Sequence, residues 1–392
     1  MPRNPDKTDY SGNFPIHFAA FESLEDPRSA TGWTRHHFDE VLFICVTGVL
    51  CGMNGFAEIE HFAKLQRSWF EKWISLPHGI PRAQTLSNLF QLIDPTKFQQ
   101  CLIDHVSQLH PDLKKQIIAI DGKALRGSHE HLKGAHHAVS AWAEDTGITL
   151  AQVFVDEKSN EITAIPKLLE MLDLQSHIVT MDAMGTQVEI AKQIVDQGGD
   201  YVLALKGNQG STHDEVIDHF DFALRQLDLK QAKGWSHHQS ETETSHGRIT
   251  QRAVLSTTYL KVLDPEIRGR WKGLKSLIVV EVESEVISTK KKRQRERRYD
   301  LSSLDVEAVR FEEIIRKHWS IENQCHWVLD VTFREGANRT RRKNAPKNFS
   351  TLLRMALNIL KTDQTRKGSL PFKRREAALD LNYRESILFS QT

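Results

Sequence analysis

The chain has 392 residues and carries 52 Lys and Arg against 51 Asp and Glu, a net charge of +1. With 39 % hydrophobic and 26 % charged residues it has the balance of an ordinary globular protein, which excludes a disordered or collagen-like chain. A polar N-terminus, a longest apolar run (Val41 to Met53) short of the ~20 residues a bilayer requires, and four scattered cysteines without a CxxC pair exclude a signal peptide, a membrane span and a disulfide framework, and imply a cytoplasmic chain with free thiols.

At roughly 150 residues per domain the length implies two or three domains. Residues 1–112 read as a helical domain, with helices expected at Phe38 to Met53, Phe56 to Leu65, Ser68 to Ile74, Gln84 to Ile93 and Pro95 to Leu109, separated by Gly, Pro and polar breaks. Ile74 to Ile93 has the outline of a helix-turn-helix, but nothing in its second helix demands base contact, and a plain helical bundle is the better reading. From Gln116 the texture changes. Strands are expected at Ile117 to Ile120, Ala135 to Ala143, Ile148 to Val155, Ile178 to Met181 and Tyr201 to Leu205, with helices at Asn160 to Leu172 and Gln187 to Gln197. The order is β-β-β-α-β-α-β, a mixed sheet with helices on its faces.

About 211–304 reads as an insertion. It contains strand-like runs and a basic block, Lys290 to Arg298, with seven basic residues and one acid. Helices resume after Asp305, run through Glu322 to about Val331, and end with Lys347 to Leu360. A second basic block lies between, Arg334 to Lys347, with six basic residues and one acid. Such blocks in a balanced chain fit a phosphate-binding surface, although one alone reads as a solvated loop. A second unit is thus expected over 113–365, and 366–392 reads as a polar tail that packs loosely.

Two aspartates follow short apolar runs directly, Asp121 after Ile120 and Asp182 after Met181. Neighbouring parallel strands place their carboxyl ends on one edge, where ligands bind, so the two carboxylates meet if these strands are neighbours. On the helix carrying HWSIENQCHWVLD, Glu322, His326 and Asp330 lie at i, i+4 and i+8 and share a face. Three converging carboxylates repel one another unless cations sit between them, and hard oxygen donors select Mg²⁺ or Mn²⁺. Two such ions ~4 Å apart clamp an in-line phosphoryl transfer. The bland alternative is a pair of capping or surface aspartates.

The residues are more specific than their spacing. IAIDGKALRGS (Ile118 to Ser128), DEKSNEITAIPKLLEML (Asp156 to Leu172), TMDAMGTQ (Thr180 to Gln187), GGDYVLALKGNQG (Gly198 to Gly210), SHGRITQR (Ser245 to Arg252) and HWSIENQCHWVLDVTFRE (His318 to Glu335) occur in this order, after FESLEDPRSATGWTRHHFDEVL at the N-terminus. The chain resembles the DDE transposases of bacterial insertion sequences, nearest the branch that includes the H-repeat-associated proteins of Rhs elements. The resemblance implies an RNase H-like core with an insertion before the last catalytic helix and an N-terminal helical domain that helps bind DNA ends. It also implies Asp121, Asp182 and Glu322 as the catalytic, metal-binding acids, with two Mg²⁺ (or Mn²⁺) ions. The implied partners are double-stranded DNA, as element inverted repeats and target, and a second copy in a homodimer on DNA. The implied setting is the cytoplasm, in association with the nucleoid. One departure stands out. Where many relatives place Tyr, Arg and Lys around the final Glu, this chain has Ile315, His318 and Leu329.

Further DNA contacts are expected at Lys123 and Arg126 after Asp121, where they hold the scissile strand or neutralise the acids. Lys206, Asn208 and Gln209 follow the strand after Asp182, with a simple turn as the even alternative. His246 and Arg248 in the insertion, His318, Asn323 and His326 around Glu322, and Arg339, Arg341 and Arg342 complete the set. Trp319 and Trp327 read as a core stripe rather than a base-stacking platform. His129, His131, His136 and His137 have no defensible zinc spacing, although a zinc hydrolase stands as a third reading behind an active transposase and an inactive, DNA-binding descendant of one.

Overall fold

The computed structural model describes residues 20–28, 34–111, 113, 115–129, 134–155, 160–226, 232–245, 247–287 and 294–389. His131, His246 and the first part of the Lys290 basic block lie outside them. Five helices come first: α1 (Phe38–Leu50), α2 (Phe56–Leu65), α3 (Arg67–Phe70), α4 (Ala83–Leu92) and α5 (Pro95–Leu109). The start of α5 follows from its sequence: Asp94 accepts the N–H of Thr96 at 2.8 Å, and Pro95, which needs no donor there, takes the first position. Because α3 is a single turn and residues 71–82 separate it from α4, the helix-turn-helix outline is not realised and the bundle reading holds.

The α/β part follows as β1 (Ile117–Leu125), β2 (His136–Ala143), β3 (Ile148–Phe154), α6 (Glu161–Glu170), β4 (Ile178–Met181), α7 (Val188–Asp196) and β5 (Asp200–Leu205). The next segment contributes α8 (Gly210–Gln226), β6 (Trp235–Gln239), β7 (Glu243–Ser245), β8 (Arg248–Thr257), α9 (Pro265–Arg270), β9 (Ser276–Val286) and β10 (Gln294–Ser302). The chain then runs through α10 (Ala308–His318), a π-helical turn (Ile321–His326), α11 (Trp327–Val331), α12 (Ala345–Thr362), α13 (Leu370–Leu379) and α14 (Leu381–Phe389).

The strands form one ten-stranded sheet in the order β3-β2-β1-β4-β5-β10-β9-β8-β6, with β7 on β8. β1, β4 and β5 are parallel and the other pairings antiparallel. The first five strands have the RNase H-like order expected from the resemblance. The inserted segment adds its strands to the same sheet through β10 rather than standing apart from it. Tyr299 pairs with Leu205, so Gln294 to Arg298 continue past the carboxyl end of β5 and form a wall beside that edge.

Alternation along the strands divides the core. Ile117, Ile178 and Val202 meet Ala308, Phe311 and Ile314 of α10 on one face. Ile118, Ile120, Val179, Met181, Tyr201 and Leu203 face the larger core with α6, α7 and the N-terminal helices. α12 is almost wholly buried. Its Asn348 donates to the carbonyls of Phe90 (2.8 Å) and Ile93 (2.9 Å), closing the C-terminus of α4, so the first helices and the α/β part share one core.

The segment after Gln364 corrects the expectation of a loose tail. Ala377, Tyr383, Ile387 and Leu388 are buried in the main core. Arg374 donates to the Val49 carbonyl at 2.9 Å and to that of Thr332, and lies over the Phe333 ring at 4.3 Å. A guanidinium whose donors all meet carbonyls can be buried, so a polar sequence did not mean an exposed one.

Candidate active site at the carboxyl edge of the sheet

The parallel pairing of β1 with β4 ends at Ile120 and Met181, and that of β4 with β5 at Met181 and Leu203. Asp121 and Asp182 are each the next residue. Their backbones lie on adjacent strands, ~4.8 Å apart, and on the face that α10 covers. β1 does not stop at Asp121 as expected. It runs on to Leu125 paired with β2 alone, so Asp121 stands where β1 loses its parallel neighbour.

Asp182 is exposed, and its Oδ1 accepts the N–H groups of Met184 (3.1 Å) and Gly185 (3.2 Å). Asn208 donates to the Ala183 carbonyl at 2.7 Å and Gln209 to that of Thr186 at 2.8 Å. These amides brace the Asp182 turn from the end of β5, and Asn208 is at the same time exposed. Lys206, before them, is exposed.

The third acid arrives from the other side. His318 closes α10 with its Nδ1 2.9 Å from the Thr180 hydroxyl, fixing the helix end over β4. The π-helical turn follows and carries both Glu322 and His326. Such turns are rare, and they recur at functional sites because the extra residue re-aims side chains. His326 is buried, and its Nδ1 lies 3.5 Å from Asp121 Oδ2 and 3.6 Å from Glu322 Oε2. One ligand atom from each of these three residues falls within 4.8 Å of the others. Glu322 itself is open, with its side chain 54 % exposed, against 18 % for Asp121.

The electrostatics follow from this placement. Burial, then the charge of Glu322, pushes the Asp121 carboxyl up to about 8, with Asp182 adding to the effect. A hydrogen bond with His326 holds Glu322 below the ordinary carboxylate range. Burial pushes His318 down to about 4, leaving a neutral imidazole. Two oxygen donors and an imidazole closing on one point, with a further carboxylate one strand away, form a chemically suitable set for divalent cations.

Lys123 is buried, with Nζ 2.6 Å from Asp330 Oδ2, 3.9 Å from Glu335 Oε2 and 3.4 Å from the His326 carbonyl. Its ammonium is thus enclosed behind the π-turn, paired with Asp330 and close to Glu335. Arg126 is exposed on the turn after β1. There Gly127 meets the Asn338 backbone so closely that a Cβ would stand 2.0 Å from its carbonyl oxygen, which locks this turn to the Arg334 loop.

Arg339, Arg341 and Arg342 are exposed and line, with Asn54 to Glu58 and Ser87, an open cleft of about 710 Å³ between that loop and the first helices. Arg248 lies exposed at the start of β8, and His246 falls outside the described residues. In the Lys290 block, Arg295 and Arg297 pair with Glu281, and Arg298 with Glu296, so neighbouring acids offset part of that charge.

The tryptophans correct the sequence reading. Trp319 is 48 % and Trp327 57 % exposed, with exposed Asn323 between them beside Glu322. The π-turn lies between the two rings, and the Arg298 guanidinium lies 5.2 Å from the Trp319 ring centre. Among the described residues, His129, His136 and His137 join no metal-capable group. The i+4 spacing of His326 placed it beside Glu322, but nothing in the sequence turned it toward Asp121.

The family described as "Transposase DDE domain" matches residues 112–359, and "DDE_Tnp_1-associated" matches 18–106. "Putative transposase YncI" of Escherichia coli O157:H7 is 39 % identical over 368 residues, 92 % of this chain and 91 % of that protein. "H repeat-associated putative transposase YhhI" of Escherichia coli K12 is 37 % identical over 357 residues, 90 % of this chain and 92 % of its own length. Among solved structures, a piggyBac transposase synaptic complex with hairpin DNA matches with a TM-score of 0.47 at 10 % identity, over 97 % of this chain and 81 % of that one.

Proposed function

The chain belongs to the DDE transposase family, and we propose that it binds the inverted-repeat ends of an insertion element, cleaves there to free 3′-hydroxyls and joins them to target DNA. One observation supports this most: Asp121 meets a glutamate and a histidine delivered by the π-turn at the sheet edge, and Asp182 follows the adjacent parallel strand close enough for its charge to act on Asp121. Two Mg²⁺ or Mn²⁺ ions held by Asp121, Asp182 and Glu322 would activate the attacking water or 3′-hydroxyl and neutralise the leaving oxygen.

The chain's own groups do the rest. Asn208 and Gln209 keep the Asp182 turn in place, and Lys123 fixes the backbone of His326. Arg126, Lys206 and Arg248, with the arginines of the cleft, take phosphates, which position DNA without reading its sequence. The exposed rings of Trp319 and Trp327 offer flat faces to bases next to Glu322. Synapsis of two ends calls for a homodimer on DNA. The chain works in the cytoplasm at the nucleoid; among the described residues no helix is long and apolar enough to cross a membrane.

The test is direct. The full chain, given duplexes carrying its own element ends and Mg²⁺, nicks at those ends and leaves unrelated duplex intact. End binding without cleavage under Mg²⁺ or Mn²⁺ would sink the catalytic reading.

The cleft makes a separate prediction. Arg339→Ala with Arg342→Ala weakens binding to specific and unrelated duplex alike. It lowers the slope of log K against log salt by about 1.8, at ~0.9 per lost phosphate contact. Fluorescence anisotropy across a salt series reads this, and an unchanged slope would make the loop a bare solvated face.

A further inference from the structure

We propose that His326 is a direct nitrogen ligand of the ion held between Asp121 and Glu322, so that this site is a mixed oxygen and imidazole centre rather than an all-carboxylate one. The inference rests on the metal-dependent reading above and goes beyond its three acids.

Geometry carries it. Ligand atoms bound at ~2.1 Å stand ~3.0 Å apart as cis neighbours in an octahedron and ~3.4 Å apart in a tetrahedron. His326 Nδ1 lies 3.5 Å from one carboxylate and 3.6 Å from the other, so an ion enters with small adjustments of side chains already aimed at one point. The ring has little freedom to do otherwise. His326 is 4 % exposed, and its Nε2 is enclosed without a hydrogen-bond partner among the described residues. Its polar contacts run through Nδ1 to the two acids. Lys123 holds its backbone carbonyl at 3.4 Å while pairing with Asp330, which fixes the turn from behind.

Exposure adds a division of labour. Glu322 is half open, whereas His326 is the inner wall of the site. A bound ion would be held from the buried side by His326 and Asp121, and the exposed side of Glu322 would leave room for a phosphate oxygen and water. An imidazole donor also changes the choice of metal. All-oxygen sets suit Mg²⁺, whereas a nitrogen donor raises affinity for Mn²⁺ and Co²⁺ over Mg²⁺.

The experiment reads ligation rather than turnover. Mn²⁺ is bound to the full-length protein, and pulsed EPR records nitrogen coupling to the ion. The relevant signal is the one lost in Asp121→Asn. In wild type it shows a directly bound ¹⁴N, which becomes a ¹⁵N pattern when the protein is grown on ¹⁵N-histidine; this step needs no variant. In His326→Gln the nitrogen coupling disappears and Mn²⁺ binds about tenfold or more weakly, while His318→Gln keeps the coupling. Mn²⁺ bound at this site without nitrogen coupling, or with coupling that survives His326→Gln, overturns the proposal and leaves the carboxylate reading intact. Failure of Mn²⁺ to bind would overturn both.

Discussion

Asp121→Asn is expected to abolish end cleavage while leaving DNA binding and the fold in place. Removing one ligand of a metal centre forfeits several kcal/mol of transition-state stabilisation. At about 1.4 kcal/mol per tenfold, the rate falls by about three orders of magnitude or more. The fold should not suffer. Among the described residues the Asp121 Oδ1 accepts the N–H of Gly122, at 2.9 Å, and an amide oxygen does this equally well.

The sign of the stability change is the sharper part. Asp121 is pushed up to about 8 by burial and Glu322, far above its ordinary 3.8. Below the ordinary value both folded and unfolded chains are protonated and there is no penalty. Above it the unfolded chain ionises while the folded one holds its proton, and the penalty grows until the folded carboxyl also ionises near pH 8. Metal-free Asp121→Asn should therefore match wild type near pH 4 and gain melting temperature over it toward pH 8. A loss of melting temperature at neutral pH would show Asp121 to be a structural group, and cleavage that survives would remove it from the reaction.

The trade of stability for chemistry explains which parts of the site were legible in the sequence. Asp121 and Asp182 each follow an apolar run directly, Ile117 to Ile120 before one and Ile178 to Met181 before the other. A charge at the end of such a run falls at the sheet edge where ligands bind. The strands and helices around them were readable because period and breakers agree there. What could not be read depends on long-range partners. The π-turn has no sequence signature, so the face shared by Glu322 and His326 was visible but the outward turn of Trp319 and Trp327 was not. Arg374 and Arg384 fell in the segment expected to pack loosely because burial of an arginine is decided by distant acceptors, the Val49 carbonyl for one and the Gln66 side chain for the other. The strands from β6 to β10 looked irregular because polar residues alternate through their protruding halves, where one face or both meet solvent.

The second large effect is expected far from the acids, at Arg354. Its guanidinium is fully buried in α12, 2.8 Å from Glu335 Oε1 and 2.6 Å from the Ser350 hydroxyl, which itself donates to Glu335 at 2.7 Å. Glu335 in turn reaches toward Lys123 at 3.9 Å, and Lys123 pairs with Asp330. Arg354→Met strands a buried carboxylate, and breaking such a pair costs about 3–5 kcal/mol. Urea unfolding should show a loss of that order. Adding Glu335→Gln to Arg354→Met should recover part of it, because the stranded charge is then gone, and the double variant should be more stable than Arg354→Met alone. A cost below about 1 kcal/mol would mean that water or rearrangement satisfies Glu335. The consequence for the site follows from position. Without Arg354, the stranded charge of Glu335 pulls on Lys123 at 3.9 Å and strains its contacts to Asp330 and the carbonyl of His326 without being neutralised by it. The π-turn then loses its rear support, so Mn²⁺ affinity should fall together with stability although no ligand has been changed.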